Sequence, residues 1–382
     1  MAQAKNLREL LLIREAEHDY INAITGNLGS AIGLKNGDGD PCVIVFVEQK
    51  IDSKWLMSGQ LIKRTLNGPN GLTCPTDVVQ GRTYEIDRDI HLLDIMPGLN
   101  SGNLPVVSRQ EFLGPPPLQT AGQIALLEQV RGWGTSITPG AQLFHQDGWF
   151  GTLGCFARKS SGTKGILTNE HVAGPVGSKL FFPNANGIHI ATVQETFRAI
   201  SDEARFPGII DEPTARYHVD CAFAELNPMV ALADLDAKIP TLDSGDNIAH
   251  RELGDPLPLD LDTLGPLGMP VLGIGRTRSF QRGTVAGFAY SFFVNNSSVP
   301  GFPPSKSYTD LLIVGEDTDQ FSAPGDSGKL IVTNDVDLRP VGLLWGGWKE
   351  RLRQGRMQED WTYAIDINKV LDLLKVSIAK RI

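Results

Sequence analysis

The hydrophobic pattern changes twice along the chain, first from helical to strand-like and then back to helical. Over residues 7–17, leucines and isoleucine recur among charged side chains at helical spacing, which predicts an amphipathic helix. The apolar run Cys-Val-Ile-Val-Phe-Val at 42–47 predicts a buried strand, and Asp-Val-Val at 77–79 predicts another. Near the other end, Asp366 precedes apolar residues at 367, 370, 371 and 374, which predicts a capped, closing helix.

The proline run Gly114-Pro115-Pro116-Pro117 separates two regions of different pattern. Because successive prolines cannot continue a helix or a central strand, we place a domain boundary there. Residues 1–117 then form a small α+β domain, and residues 118–382 form a second domain. Beyond a short helix near 124–130, the second region consists of short apolar runs separated by Gly, Pro, Asn and Asp, which is typical of a β-barrel or sandwich.

Size and composition agree with two globular domains that are rich in strands. The chain has 382 residues, more than the ~250 to 300 that a single hydrophobic core serves. Its 41 glycines and 24 prolines favour short strands and turns over long helices. Lys and Arg total 35 against 44 Asp and Glu, without a basic block, so we expect no nucleic-acid partner.

Neither membrane insertion nor secretion is expected from the sequence. No run of about 18 apolar residues occurs, so the pattern predicts no membrane-spanning helix. Charged residues in the first helix interrupt the apolar core that a signal peptide needs. The four cysteines, Cys42, Cys74, Cys155 and Cys221, form no Cys-x-x-Cys pair, and three of them lie in apolar runs. Buried free thiols favour a reducing, cytoplasmic location.

Three short segments of the β-rich region carry the candidate chemistry. Residues 165–173 read Gly-Ile-Leu-Thr-Asn-Glu-His-Val-Ala, a predicted strand that ends in His171. Residues 217–224 place Asp220 at the start of an apolar strand, and residues 322–328 contain Ser327 between glycines. A serine hydroxyl is a weak nucleophile near neutral pH, so it needs a base, and the base needs a carboxylate that fixes its tautomer. The three segments supply one group for each role.

The glycines around Ser327 also have a use in this chemistry. The backbone N–H groups of Gly325 and Ser327 can turn toward one point and form an oxyanion hole for developing negative charge. Gly328 avoids crowding against the strand that follows.

Other assignments remain open at this point. Gly-Asp-Ser-Gly alone is common in turns, so the catalytic interpretation depends on all three segments occurring in order. Asp202 or Asp211 could orient the base instead, and Asp220 would then be a charge at a strand edge. A metal site made by His171, His218 and Asp220 is a weaker alternative, because no His-x₃₋₅-His spacing supports it.

Together these segments resemble the signature regions of the trypsin-like (chymotrypsin-fold) serine peptidases. Leu-Thr-Asn-Glu-His-Val-Ala, Asp-Cys-Ala-Phe and Gly-Asp-Ser-Gly follow the family's order, with separations that let the serine come from a second barrel. Residues 148–155, 268–277 and 367–374 are similar to the non-secreted, narrow-leaf-type branch of the family. Residues 42–50 and 75–79 resemble the small N-terminal domain that precedes the peptidase in this branch.

The resemblance implies a mainly β fold, with two six-stranded antiparallel barrels and a C-terminal helix after the small α+β domain. It implies a cytoplasmic serine endopeptidase in which Ser327 attacks the scissile carbonyl, His171 transfers the proton and Asp220 orients His171. The partner is then a protein or peptide substrate, and no cofactor, metal, nucleic acid or membrane is required. The N-terminal domain is expected to mediate homo-oligomerisation or to gate the cleft; the alternative is a structural cap.

The resemblance also suggests which residues form the substrate pocket. The position six before the nucleophile, which often floors the specificity pocket, is Phe321 and not an acid, so we expect an apolar or small P1 residue. Asp319 leaves a preference for Lys or Arg as the alternative. At the pocket wall, Leu344, Trp345 and Gly346 match the family pattern Ser-Trp-Gly except at the first residue.

Asp326 raises a separate question about activation. In many family members the acid before the serine pairs with an N-terminus released by cleavage, but no basic residue followed by Ile/Val-Val-Gly-Gly occurs here. We therefore expect no activation cut of that kind. Asp326 then either finds an internal donor or lies in a loop that stays unformed until a substrate or partner orders it.

Two other functions use the same cleft. The first is a catalytically silent scaffold that keeps the barrels and binds proteins. The second is an esterase that acts on small acyl groups with the same three residues.

Overall fold

The computed structural model describes residues 2–51, 61–81, 120–133, 136–201, 206, 209, 216–230, 235–294, 305–316, 320–348, 351–353, 356–358 and 361–382. The proline run at 114–117, the alternative acids Asp202 and Asp211, and Asp319 lie outside these residues. Over the described ranges the protein is mainly β, with a few short helices.

Helices mark both ends of the chain and two points between them: α1 (Leu7–Ala16), α2 (His18–Asn22), α3 (Ala121–Glu128), α4 (Glu170–Ala173) and α5 (Ile367–Leu374). The predicted amphipathic start is two helices, and Asn6 caps the first by accepting a hydrogen bond from the N–H of Glu9. Helix α5 follows its prediction, because the carboxylate of Asp366 accepts the N–H of Asn368 at 3.0 Å.

The N-terminal module, residues 2–81, is a small mixed sheet covered by α1. Its strands are β1 (Ala2–Gln3), β2 (Asn27–Leu34), β3 (Pro41–Val47), β4 (Thr65–Asn67) and β5 (Leu72–Gln80). Strand β3 pairs with β2 in antiparallel and with β5 in parallel orientation, and β1 and β4 also pair with β5. Both strands predicted in this region are present, and they lie side by side.

The first barrel is a closed antiparallel sheet. Its segments are β6 (Gln142–His145), β7 (Phe150–Thr152), β8 (Cys155–Lys159), β9 (Lys164–Thr168), β10 (Lys179–Phe182), β11 (Ile188–Ser201) and β12 (Arg216–Leu226). Segments β7 and β8, which are separated by only two residues, count as one strand of the ring. The first part, β7, pairs with β6, and the second part, β8, pairs with β9. The pairings β9–β12, β12–β11, β11–β10 and β10–β6 complete a ring of six strands.

A hairpin of β13 (Ile239–Leu242) and β14 (Ile248–Arg251) precedes the second barrel. The following strands are β15 (Pro270–Ile274), β16 (Phe280–Val294), β17 (Ser305–Gly315), β18 (Leu330–Thr333), β19 (Pro340–Trp348), β20 (Arg351–Arg353), β21 (Arg356–Gln358), β22 (Trp361–Asp366) and β23 (Val376–Ile378). The second barrel closes through β15–β16–β17–β22–β19–β18 and back to β15. The two predicted six-stranded barrels are thus present.

The N-terminal module extends the sheet of the second barrel. Strand β2 pairs with β16, and the backbones approach so closely that a Cβ on Gly29, whose φ is +142°, would lie 2.1 Å from the carbonyl oxygen of Ser291. The ring of Phe46 packs edge-on against Tyr290 and Trp361, with centroids 5.1 and 5.3 Å apart. The module and the second barrel therefore share one apolar core, while a second cluster fills the first barrel.

Two further expectations concern helices and thiols. In the part of the chain that the structure describes, no helix is long and apolar enough to cross a membrane. All four cysteines are free and buried. Burial raises the pKa of Cys74 and of Cys155 to about 12, so both thiols are protonated at neutral pH.

Candidate active site

His171 stands on a single helical turn between the first barrel's strands. Strand β9 ends at Thr168, and the next residues form α4, which carries the histidine. The sequence predicted a strand that runs up to the histidine, but the chain leaves the sheet three residues earlier and turns. Trp149 holds this turn, because its indole N–H donates to the carbonyl of Val172 at 2.9 Å.

Asp220 lies inside strand β12 and not at its start as predicted, because β12 begins at Arg216, where it pairs with β11. Its Oδ2 is 2.5 Å from Nδ1 of His171, and its Oδ1 accepts the backbone N–H of His171 at 3.2 Å. The side-chain amide of Asn169 donates to the backbone carbonyl of Asp220 at 2.6 Å. Pairing of β12 with β9 thus brings the acid beside the histidine.

Burial and the neighbouring histidine act in opposite directions on the pKa of Asp220. The His171 side chain is 5% exposed and the Asp220 side chain 2%. Burial alone raises the pKa of Asp220, but the charge of His171 and its hydrogen bond lower that pKa, and the net direction is downward. The carboxylate is therefore ionised at neutral pH, in the state that can orient an imidazole and stabilise an imidazolium.

Ser327 lies in the loop before β18, and its backbone is tied to the first barrel. The carbonyl of Ser327 accepts the N–H of Thr152 at 2.8 Å. The next residue, Gly328, has φ +93°, and a Cβ there would lie 2.2 Å from the carbonyl oxygen of Thr152 and 2.4 Å from Oγ1 of Thr168. Because Thr168 ends the strand that leads to His171, Gly328 packs directly against the strand that positions the histidine.

Gly151 shows how closely the serine and histidine segments approach. A Cβ on this residue would lie 3.0 Å from the carbonyl oxygen of Ser327 and 2.4 Å from a methyl group of Val172, the residue after His171. Only hydrogen fits at that position. The serine and histidine segments are thus brought together across the junction of the two barrels.

Gly325 and Ser327 carry the two amides predicted to form an oxyanion hole. The φ of Gly325 is +95°, and a Cβ there would lie 2.7 Å from Oγ1 of Thr277 and 2.9 Å from the Phe150 ring, so this position requires glycine. The hydroxyl of Thr152 donates to the Gly325 carbonyl at 2.9 Å. Within the described ranges, no hydrogen bond engages the N–H of Gly325 or Ser327.

Asp326, between these two amides, has internal partners. Its Oδ1 accepts the backbone N–H groups of Thr277 and Arg278 at 2.8 and 3.1 Å, and its Oδ2 accepts that of Ala323 at 3.1 Å. The ammonium of Lys329 lies 3.2 Å from Oδ2. Of the two outcomes predicted for Asp326, the internal donor is the one present. Sequence reasoning missed Lys329, although a lysine before the apolar run Leu-Ile-Val at 330–332 was the available signal.

The predicted pocket residues line the second barrel beside this loop. Phe321 is fully buried, and its ring centroid lies 5.2 Å from the ammonium of Lys329. The N–H of Leu344 donates to the carbonyl of Lys329 at 2.9 Å. Trp345 is only 2% exposed and donates from its indole N–H to Oγ1 of Thr309 at 3.0 Å. Gly346 pairs with the barrel strand β22, and the pocket function of these four residues remains a prediction.

The ring of His218 packs against Trp345. Its ring centroid lies 3.9 Å from that of Trp345. Burial lowers the pKa of His218 to about 4, so this imidazole is neutral at pH 7. Among the residues with described positions, no group of three or more His, Cys, Asp or Glu side chains could hold a metal ion.

Two closed six-stranded barrels, with histidine and aspartate on the first and serine on the second, define the trypsin-like fold class. Family models match both parts of the chain: the Nal1 C-terminal domain matches residues 120–381, and the NARROW LEAF 1 N-terminal domain matches residues 2–79. The protein therefore belongs to the Nal1 family.

The chain is also similar to individual proteins. The chain is 28% identical over 407 aligned positions to Protein NARROW LEAF 1 of Oryza sativa subsp. japonica, covering 98% of this chain and 61% of that protein. The chain thus spans about three-fifths of this relative's length. Among solved structures, a Nocardiopsis protease (18% identity, TM-score 0.40) is similar over 64% of this chain and 98% of its own. Thermobifida fusca Protease A (15% identity, TM-score 0.41) is similar over 64% of this chain and 98% of its own.

Proposed function

We propose that the protein is a serine endopeptidase that hydrolyses peptide bonds through an acyl-enzyme intermediate. The observation that carries the proposal is the buried pair of His171 and Asp220, 2.5 Å apart, beside a serine loop anchored to the same barrel. With Nδ1 of His171 bound to the carboxylate, Nε2 is the ring nitrogen that can accept a proton.

In the first half of the reaction, Oγ of Ser327 attacks the carbonyl carbon of the scissile bond while Nε2 of His171 takes the hydroxyl proton. The carbonyl oxygen becomes an oxyanion, to which the N–H groups of Gly325 and Ser327 donate. When the tetrahedral intermediate collapses, the C–N bond breaks and His171 returns the proton to the leaving amine. The acyl group stays on Ser327 as an ester.

In the second half, water attacks the ester and His171 takes its proton. Collapse of the second tetrahedral intermediate releases the carboxylic acid and returns the proton to Oγ of Ser327. Throughout, Asp220 keeps the imidazole in one orientation and balances the positive charge that forms on it.

The proposed substrate is a protein or peptide with an apolar or small P1 residue. Phe321 supports this choice, because a buried ring in place of an acid offers no charge to a substrate Lys or Arg. We propose a cytoplasmic location as well, which the four free thiols support.

For the N-terminal module we keep homo-oligomerisation as a proposal beside the structural cap. Light scattering on the full chain separates them, since a cap alone predicts the mass of one 41.5 kDa chain, whereas homo-oligomerisation predicts a multiple of it.

Cleavage of a synthetic library of short peptides, read by mass spectrometry of new termini, tests the proposed function. We expect cleavage by the wild type and none by Ser327→Ala or His171→Ala. Ser161→Ala, on an exposed turn, is the matched serine control. His250→Ala is the matched histidine control, because His250 pairs with Asp236 at 2.9 Å on the surface.

The two rival functions give different results in the same assay. An esterase would hydrolyse small activated esters through Ser327 and leave every peptide intact. A silent scaffold would hydrolyse neither, and it would bind peptides equally well with and without the Ser327 hydroxyl.

A further inference from the structure

Beneath the serine loop lies an ion pair that is wholly enclosed by protein. The side chains of Lys329 and Asp326 are both 0% exposed, and Nζ lies 3.2 Å from Oδ2. Two buried charges are costly to remove from water, and removal of one partner leaves the other uncompensated. A pair that persists under these conditions constrains the segments to which it is bonded.

The segments held by this pair surround the proposed oxyanion hole. Lys329 donates to the carbonyl of Phe321 at 2.9 Å and lies 3.4 Å from that of Arg278. The carboxylate of Asp326 accepts hydrogen bonds from the backbone N–H groups of Thr277, Arg278 and Ala323. Three stretches of backbone, near 277, near 322 and at 326–329, are thereby fixed to one pair of charges.

The fold leaves room for the pair at two glycines on and beside strand β15. A Cβ on Gly275 would lie 2.4 Å from Oδ1 of Asp326 and 2.6 Å from Cε of Lys329, and a Cβ on Gly273 would lie 2.8 Å from Cδ of Lys329. All three distances are shorter than the contacts that real Cβ atoms make. The missing side chains of these two glycines leave the space that the lysine methylene groups and the carboxylate occupy. This close packing is a second observation, separate from the hydrogen bonds, that the site is built around the ion pair.

We propose that Lys329 is the positioning residue that keeps the oxyanion loop formed within the uncut chain. Asp326 is the residue between Gly325 and Ser327, so the direction of its side chain fixes the peptide groups whose N–H donors must converge. The Lys329 ammonium supplies a positive charge to Asp326 from inside the chain, so the loop needs no cut to find a partner for this acid. The inference rests on the proposed peptidase function and concerns how its site is kept active.

The rate at which Ser327 reacts with a fluorophosphonate tests the inference, with the full chain shown intact by mass before and after. We expect the uncut wild type to react. Lys329→Met should react about 10²–10³ times more slowly, the loss typical of a missing oxyanion donor. In peptide hydrolysis the loss should fall on kcat with KM little changed. Lys380→Met is the matched control, because Lys380 pairs with Asp255 at 2.8 Å on the surface.

A second variant guards against simple unfolding. In Asp326→Asn/Lys329→Met both charges are removed together, so no charge is left buried without its partner. We expect this variant to fold, as judged by its circular dichroism, and still to react slowly. Lys329→Ala should regain rate when n-propylammonium, which matches the atoms removed from the lysine, is added. The uncharged n-propanol fills the same space and should not restore the rate, whereas a purely structural loss would respond to both.

The outcomes separate this inference from the function on which it rests. Folded lysine variants that react at the wild-type rate overturn the positioning role and leave the peptidase intact. A wild type that reacts only after its chain has been cut does the same. A wild type that never reacts, cut or uncut, overturns the proposed function and the inference together.

Discussion

Nδ1 of His171 lies 2.5 Å from Oδ2 of Asp220, and the second oxygen of the same carboxylate accepts the backbone N–H of His171 at 3.2 Å. One carboxylate thus fixes both the ring and the turn that carries it. Because two bonds from one acid leave little rotational freedom, the imidazole is oriented before any substrate arrives.

Replacement of Asp220 by asparagine tests this orientation. An amide can donate to Nδ1 and so favour the wrong tautomer, and we expect kcat to fall by about 10⁴ while KM changes little. The control is Asp236→Asn, which alters the surface pair with His250. If Asp220→Asn kept wild-type kcat, another acid would have to orient His171.

Gly151→Ala tests the contact between the serine and histidine segments. The added methyl group would lie 2.4 Å from Val172 and 3.0 Å from the carbonyl oxygen of Ser327. We expect a loss of about 1–3 kcal/mol in the free energy of unfolding and up to about 10² in kcat, because the two segments must separate. Gly265→Ala, on an exposed turn, should change neither the free energy of unfolding nor kcat. If the two substitutions had equal effects, the close approach at Gly151 would not be their cause.

The half-buried imidazole of His218 predicts how stability depends on pH. The pKa of His218 is about 4 when folded and about 6.5 when unfolded. Above pH 6.5 the group is neutral in both states, so it has no effect there. Between about pH 6.5 and 4 only the unfolded state gains the proton, so the protein should lose up to about 3 kcal/mol.

Denaturant unfolding of wild type and His218→Phe at several pH values measures this contribution. The variant should lack that part of the acid destabilisation while its stability at pH 8 stays similar. Parallel pH curves for the two proteins would mean that folding does not lower the pKa of His218.

Much of the fold could be predicted from local sequence, and so could the choice of His171, Asp220 and Ser327 as the candidate site, whose catalytic roles stay a prediction. Alternating and continuous apolar runs predicted the strands at 42–47 and 77–79, and Asp366 with its apolar spacing predicted α5. The first residue of each strand was harder to predict from the sequence, because a strand extends as far as its neighbouring strand pairs with it. The apolar pattern predicts a strand that begins at Asp220, but pairing with β11 extends β12 back to Arg216.

Contacts between residues that are far apart in the chain could not be predicted from the sequence. Nothing local shows that β2 joins β16, or that Gly29 must be glycine because Ser291 lies against it. Lys329 was missed for a similar reason, since a lysine is usually exposed and its buried partner is recognisable only after the loop has folded. The need of Asp326 for a partner could be predicted from charge alone; the identity of that partner could not.

Gly29→Ala tests whether the N-terminal module is an integral part of the second barrel. A Cβ there would meet the carbonyl oxygen of Ser291 at 2.1 Å, and φ is +142°, so the seam between β2 and β16 must open. We expect the whole protein to lose about 1–3 kcal/mol and still to unfold in one transition. Two separate transitions, of which only the first shifts, would show a module that folds independently. Gly265→Ala again serves as the control.

The proposed peptidase activity depends on a reactive serine in a formed site. Its most direct test is to treat the full chain with a fluorophosphonate and locate the adduct by peptide mass spectrometry. We predict one adduct on Ser327 that is retained in Ser161→Ala and His250→Ala and lost in Ser327→Ala and His171→Ala. A folded wild type without an adduct, or an adduct on Ser327 that survives His171→Ala, would contradict the proposed catalytic site.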